Sequence, residues 1–209
     1  MKKEIYSYNS ESLTCNDRPI LPIMGEFHFS RYPEGEWKTA IKNMQQGGVD
    51  IVATYVFWIH HEEAEGEWDF SGRRNLKAFL SCCQEAGMKV WLRIGPWAHG
   101  ECRNGGFPDW LVEKEKRGNL SLRTDDPQYL KYVDLFFTKI AEQADGYMHK
   151  DDGPVIGIQI ENEYGHAGGP SDREEGMAHM RTLRAMAEKN GLTAPYFSAT
   201  GWGGAYVPE

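Results

Sequence analysis

The sequence is poor in cysteine and has no long hydrophobic run, and each lack removes a class of protein. Its four cysteines, Cys15, Cys82, Cys83 and Cys102, are spaced neither as a paired C-x-x-C zinc site nor as a dense disulfide scaffold. Reduced thiols are expected. No stretch approaches the roughly 18 apolar residues that a membrane-spanning helix needs, and the opening Met-Lys-Lys-Glu-Ile-Tyr-Ser-Tyr holds no apolar signal core. The expectation is a cytoplasmic chain with no membrane partner. Cations are in deficit as well, with 23 Lys and Arg against 31 Asp and Glu for a net charge of −8. Nucleic acid is therefore not an expected partner, because such an interface needs clustered Lys and Arg to displace counterions. Neither a G-x-G-x-x-G nor a Walker sequence occurs, which counts against an open doubly wound nucleotide-binding sheet.

What the chain does have is aromatic residues beside Gly and Pro, including 7 Trp and 10 Tyr. Flat rings next to flexible backbone suit sugar faces, although core packing accounts for most of them. Short apolar runs alternate with longer stretches of helical spacing, the pattern of βα units on a parallel sheet. Residues 3–21 predict a small hairpin around Asn9-Ser10-Glu11-Ser12, placed as a lid or plug. Strands are predicted over 22–29, 49–58, 89–94, 154–160 and 196–199. Between them, helices are expected on the Trp37/Ile41/Met44 spacing, on Leu76/Phe79/Leu80/Cys83, on Tyr129/Val133/Phe136/Phe137/Ile140 and over 172–190, with a short one near 109–117.

Each predicted strand but the last ends in polar or aromatic residues: His28, then Trp58 with His60-His61-Glu62, then Trp97 to Glu101, then Glu161-Asn162-Glu163-Tyr164. In barrels the catalytic groups come from several strand ends at once. The fold class expected is thus α/β, a (β/α)8 barrel of which residues 1–209 supply about the first five βα units. A whole barrel takes about 250 residues, so the catalytic domain is expected to be incomplete.

The strongest chemical signal is Gly153-Pro154-Val155-Ile156-Gly157-Ile158-Gln159-Ile160-Glu161-Asn162-Glu163-Tyr164-Gly165. Along an extended strand Glu161 and Glu163 point one way and Asn162 the other, unless the strand bends there. Two like charges that close raise at least one pKa, and a carboxyl kept protonated is what a general acid needs. A salt-bridged strand end or a metal site is the alternative. A glycosidase needs a second carboxylate, about 5–5.5 Å away in retaining enzymes and about 6.5–9.5 Å in inverting ones, and by position Glu101 and Glu62 are candidates. Glu101 follows Gly100, where a ligand can approach the backbone, so a hydroxyl-binding role suits it equally. His60-His61-Glu62-Glu63 contains metal-ligand residue types, yet neighbours on a strand end point apart. No metal or cofactor is expected. His28 and His99 read as core or rim residues, Cys102 lacks a base partner, and Trp58, Trp97, Trp110 and Trp202 offer a stacking wall or simple packing.

These motifs together resemble the N-terminal catalytic region of glycoside hydrolase family 35, the β-galactosidases, from about Gly25 to Trp202. The resemblance rests on the 153–165 signature, on His28-Phe29-Ser30-Arg31, on Thr54-Tyr55-Val56-x-Trp58, and on Gly95-Pro96-Trp97 with Gly100-Glu101 and Gly105-Gly106-x-Pro108-x-Trp110-Leu111. It implies a retaining exo-acting hydrolase that removes terminal β-linked galactose from oligosaccharides or glycans. It implies Glu163 as acid/base, Asn162 near the sugar 2-hydroxyl, and Tyr55, Gly100 and Glu101 around the galactosyl ring. Glu161 then becomes a supporting residue. The nucleophilic glutamate is implied at the end of the seventh barrel strand, beyond Glu209, so the chain is expected to be a fragment or truncated product. A non-catalytic sugar-binding protein is the other reading. The chain departs from the family in having Phe29 where Tyr is frequent, and Phe57-Trp58-Ile59-His60-His61-Glu62-Glu63 where a Pro-Trp-Asn-x-His-Glu-Pro-like stretch is usual. Loss of a polar residue at Ile59 leaves room for a different β-linked sugar, such as glucosamine or arabinopyranose.

Overall fold

The computed structural model describes residues 4–199 and 204–207. Five strands, β4 (Met24–Glu26), β5 (Ile51–Tyr55), β6 (Lys89–Gly95), β7 (Val155–Ile160) and β8 (Tyr196–Phe197), form one parallel sheet in sequence order. Between successive strands run α1 (Trp37–Gln46), α3 (Leu76–Glu85), α5 (Pro127–Ala144) and α6 (Arg173–Lys189), with the short α2 (Trp58–His61) and α4 (Asp109–Lys116) in the loops. This is part of a (β/α) barrel, as the alternation predicts.

Local chemistry fixes the helix starts. Asn75 accepts the Ala78 N–H, Asp126 accepts those of Gln128 and Tyr129, and Asp172 accepts that of Glu175, satisfying donors that have no partner within the helix. Pro127 fills the first helical position of α5, where no N–H is required. The outer face of the sheet buries Val52, Val90, Leu92, Val155 and Ile158 against Ile41, Phe79, Phe136, Ile140 and Leu183 from the helices. The predicted helical faces are thus the ones buried, and strands covered this way need continuous apolar runs.

The inner face is filled differently. Ile51, Ala53, Trp91 and Ile156 form a second apolar cluster, joined by Phe197 and by Tyr6 and Leu13 from the N-terminal segment. A Cβ at Gly157 would stand 2.5 Å from the Trp91 ring, so glycine there makes room for the indole. The N-terminal segment is a three-stranded antiparallel meander, β1 (Tyr6–Tyr8), β2 (Leu13–Cys15) and β3 (Arg18–Ile20), and not a single hairpin. Asn16 and Asp17 both take positive φ, the backbone of the two-residue turn that adds β3. Tyr6 and Ile20 line a cavity with Asp50, Lys89 and Ile156 at the strand starts. The meander therefore plugs the end of the sheet opposite the strands' carboxyl termini.

Three predicted strands are shorter than expected, the last of them, 196–199, pairing only over Tyr196–Phe197. The run 22–29 pairs over Met24–Glu26, extended by the Phe27 N–H to Ala53, and coils into a 3-10 turn at Phe29–Arg31. The run 49–58 leaves the ladder after Tyr55, and Trp58 begins α2, where its ring stacks on Phe136 at 4.6 Å. Outward packing of an apolar ring wins there over strand propensity. All four cysteines are free, as their spacing suggests.

Candidate functional site

The inner-face side chains at the carboxyl ends of β4 to β7 are polar and touch one another. The Tyr55 hydroxyl donates to Asn162 Oδ1 at 2.8 Å, Arg93 Nη2 to the same oxygen at 3.0 Å, and Gln159 Nε2 at 3.3 Å. Three donors converge on that atom, so the amide oxygen is fixed inward and Asn162 Nδ2 is the end turned away from these partners. The Arg93 guanidinium lies over the Tyr55 ring at 3.7 Å and pairs with Glu26 at 2.8 Å. Glu26 also meets His28 Nε2 at 2.5 Å, and this bond, with Arg93, holds its carboxyl below the usual range. Burial pushes the Tyr55 phenol up, so it is a neutral donor. Together these groups make a prearranged polar floor.

Above the floor the chain turns sharply. Glu161 and Glu163 both have positive φ, 58° and 52°, which non-glycine residues adopt rarely. The extended alternation expected for them therefore fails, and the two carboxylates do not face each other. Glu161 is fully buried and ion-paired with Arg123, Nη2 to Oε2 at 2.6 Å and Nε to Oε1 at 3.3 Å. Glu163 keeps a side chain 30% exposed, with His99 Nδ1 at 3.8 Å from its Oε2. One carboxylate is neutralised inside the protein and the other is presented at the mouth.

The loop after β6 completes the rim. His99, Gly100 and Glu101 all have positive φ, and a Cβ on Gly100 would stand 3.0 Å from the Phe57 ring and 3.4 Å from that of Tyr55. Gly105 lies against the Trp97 indole, where a Cβ would come within 2.3 Å. Glu101 is exposed and shares a groove of about 450 Å³ with Glu26, His28 and Arg31. Tyr55, Asn162 and Glu163 are thus one contiguous constellation, with Gly100 packed over Tyr55 and Glu101 on the adjoining groove.

Other candidates fall elsewhere. Glu62 is buried, accepting from Trp58 Nε1 at 2.7 Å and the Gly66 N–H at 2.8 Å, so it is no partner for Glu163. Trp58 is a core ring, and Trp110 donates to the Glu62 carbonyl. Trp97 alone of the described tryptophans in the proposed wall borders the site, through Arg123 at 4.6 Å; Trp202 lies outside the described residues. His60 and His61 diverge, the first bonding Ser30 and the second donating through Nδ1 to the Asp69 carbonyl. Among the described residues no three His, Cys, Asp or Glu side chains are grouped to hold a metal. Residue spacing gave no hint of Arg123; only its contacts reveal it.

Burial lowers the pKa of His61 to about 4. The unfolded chain, with His near 6.5, binds the extra proton between those values, so this part of the stability is complete above about pH 6.5 and lost as pH falls toward 4. It amounts to at most about 3 kcal/mol. His61→Gln is expected to flatten the fall of melting temperature between pH 7 and 4.5 relative to the parent, as thermal unfolding across that range will show.

The family model "Glycosyl hydrolases family 35" matches residues 12–203. The chain belongs to glycosyl hydrolase family 35. Its similarity to curated family members is substantial: 35% identity over 175 residues to the β-galactosidase of Xanthomonas manihotis and 37% over 158 residues to that of Homo sapiens. Those alignments cover 84% and 76% of this chain but 28% and 23% of the relatives, so the chain spans about a quarter of their length. Among solved structures, the exo-β-1,4-mannosidase Op5Man5 from Opitutaceae bacterium strain TAV5 superposes with a TM-score of 0.67 at 17% identity, over 87% of this chain and 32% of that one. The β-galactosidase of the psychrophilic Marinomonas ef1 gives 0.52 at 20%, over 69% and 22%. Those two likenesses speak for the barrel fold.

Proposed function

We propose that residues 1–209 form the acid/base half of a retaining exo-β-galactosidase acting on terminal β-linked galactose. The observation that carries this is the division of labour between two neighbouring carboxylates: Glu161 is buried on Arg123, and Glu163 stands half-open above the Tyr55–Asn162–Arg93 floor. Glu163 donates its proton to the glycosidic oxygen as the bond to the anomeric carbon breaks. A carboxylate from polypeptide beyond Glu209 bonds that carbon, and Glu163 then takes a proton from the water that displaces it. Asn162 Nδ2 offers a donor to the 2-hydroxyl, while Tyr55, Gly100 and Glu101 frame the ring. The curated relatives named β-galactosidase support the choice of sugar. The apolar Ile59, buried beside Tyr55, Phe57 and Ala98, favours a second reading in which another β-linked sugar is held.

The test uses the protein as its natural host makes it, with a panel of β-glycosides followed by proton NMR. Release of β-galactose before mutarotation, undiminished in excess EDTA, is the expected result. The α-anomer appearing first would refute retention, and loss of turnover in chelator would refute the metal-free chemistry. Turnover of another β-glycoside but not the galactoside would move the assignment to that sugar. Calorimetric sugar binding without any hydrolysis would leave a non-catalytic binding protein.

A further inference from the structure

Glu163 receives no side-chain hydrogen bond among the described residues; His99 Nδ1 stands 3.8 Å from its Oε2. Its aim is therefore set by backbone. That backbone sits in a left-handed conformation between two carbonyls, and both are held by one residue. Arg123 Nη2 donates to the Asn162 carbonyl at 3.2 Å and Nη1 donates to the Ala167 carbonyl. The same guanidinium binds the Glu161 carboxylate through two nitrogens, and the Tyr164 hydroxyl returns a bond to the Arg123 carbonyl at 2.8 Å. Residues on either side of Glu163 are thus tied to one planar group, which is itself sandwiched by Trp97 at 4.6 Å and Tyr164 at 5.2 Å.

The turn is shaped around this clamp. Glu163 accepts the His166 and Ala167 N–H groups at its own carbonyl, and Gly165 donates to Gly168. A Cβ at Gly168, whose φ is 104°, would stand 2.6 Å from Arg123 Nη1, so a side chain there would displace the guanidinium from its contacts. Arg123 reaches the turn from the segment between α4 and α5, three residues before the Asp126 cap, and its own φ is 56°. Lysine cannot copy the contacts, because an ammonium is a point charge where the guanidinium is a rigid fork of five donors.

We propose that Arg123 is the positioning residue of the acid/base: it acts through Glu161, Asn162 and Ala167 to fix where the Glu163 carboxyl points, and does not touch the sugar. The plain alternative is a buried ion pair that serves stability alone. The two differ in what they do to leaving groups. A misaimed general acid slows departure of poor leaving groups, which need the proton, and hardly affects good ones; a displacement of about 1 Å costs on the order of 100-fold.

This inference rests on Glu163 being the acid/base, so Glu163→Gln is measured beside it. Arg123→Lys and Glu161→Gln are made in the naturally produced protein, checked by thermal unfolding, and assayed on aryl β-galactosides of graded leaving-group pKa. For a folded Arg123→Lys protein, kcat/KM is expected to fall about 100-fold on the poorest leaving group and no more than about threefold on a dinitrophenyl galactoside. That is a weaker copy of the Glu163→Gln profile. Equal losses along the series, or a lower melting temperature with an unchanged leaving-group slope, would overturn the proposal. Should the lysine variant not fold, the nearly isosteric Glu161→Gln carries the same comparison. A sloped profile for Glu163→Gln alone removes the positioning role and keeps the acid/base; a flat one for Glu163→Gln removes both.

Discussion

Glu163→Gln is expected to lower kcat/KM for a natural β-galactoside by about 10²- to 10⁴-fold, the usual contribution of a general acid. The amide fills the same volume and can still hydrogen-bond the glycosidic oxygen, but it has no proton to give. A dinitrophenyl galactoside, whose leaving group departs unassisted, is expected to form the glycosyl-enzyme at close to the parent rate. Hydrolysis of that intermediate is then slow, because no base deprotonates the water, so a burst followed by a low steady rate is the signature in stopped-flow absorbance. Wild-type turnover of the disaccharide by this variant would remove Glu163 from the chemistry. Glu161→Gln is expected to give only a weaker copy of that profile, because Glu161 is buried on Arg123, cannot reach a substrate oxygen and acts on the proton donor only through the arginine.

Trp58→Ala is expected to destabilise the protein by about 3–5 kcal/mol, a large part of the roughly 5–15 kcal/mol that holds a domain folded. Two losses combine in it. The indole stacked on Phe136 leaves a cavity in the main core, and the buried Glu62 loses the N–H that bonds its Oε2 at 2.7 Å. Burial already raises the pKa of Glu62, so its charge has little to spare. Trp58→Phe separates the two: the ring stack is largely kept, and the unpaired acceptor alone is expected to cost about 1–3 kcal/mol. Denaturant unfolding of the three proteins measures both terms. A Trp58→Ala protein of parental stability but weakened sugar binding would return Trp58 to the stacking wall and refute its place in the core.

Trp58 also shows where sequence reading reaches its limit. Apolar spacing located every barrel strand and every long helix, because burying one face on the sheet is a constraint that each segment carries by itself. Strand ends were harder. Phe57-Trp58 is as good a strand former as Ile51-Val52, and only the presence of Phe136 across the layer turns the ring outward. Whether the strand bends between Glu161 and Glu163 is open in the sequence for a related reason: alternation holds only while φ stays extended, and the two left-handed residues answer to an arginine about 40 positions earlier. Asn162 and Glu163 were legible as strand-end chemistry, whereas Tyr55 came only with the resemblance to family 35, which also separated Glu163 from Glu161. Arg123 was not, since a lone arginine between two helices has the look of any solvated charge. The His60-His61 pair shows the converse, a suggestive string whose members take separate partners, Ser30 and the Asp69 carbonyl.

The filled interior beneath the site has a kinetic meaning. Trp91, with Tyr6 and Leu13 from the meander, occupies the inner face below Tyr55 and Arg93, so on the proposed reading the sugar enters and leaves by the same opening. The aglycone lies nearer that opening and must depart first, and water then follows it inward to the bound glycosyl group. The two products are accordingly released in a fixed sequence, with the monosaccharide last. On that same proposed reading, free monosaccharide is expected to return to an empty enzyme and compete with substrate, whereas the released aglycone meets an occupied one and diverts the glycosyl group into transfer.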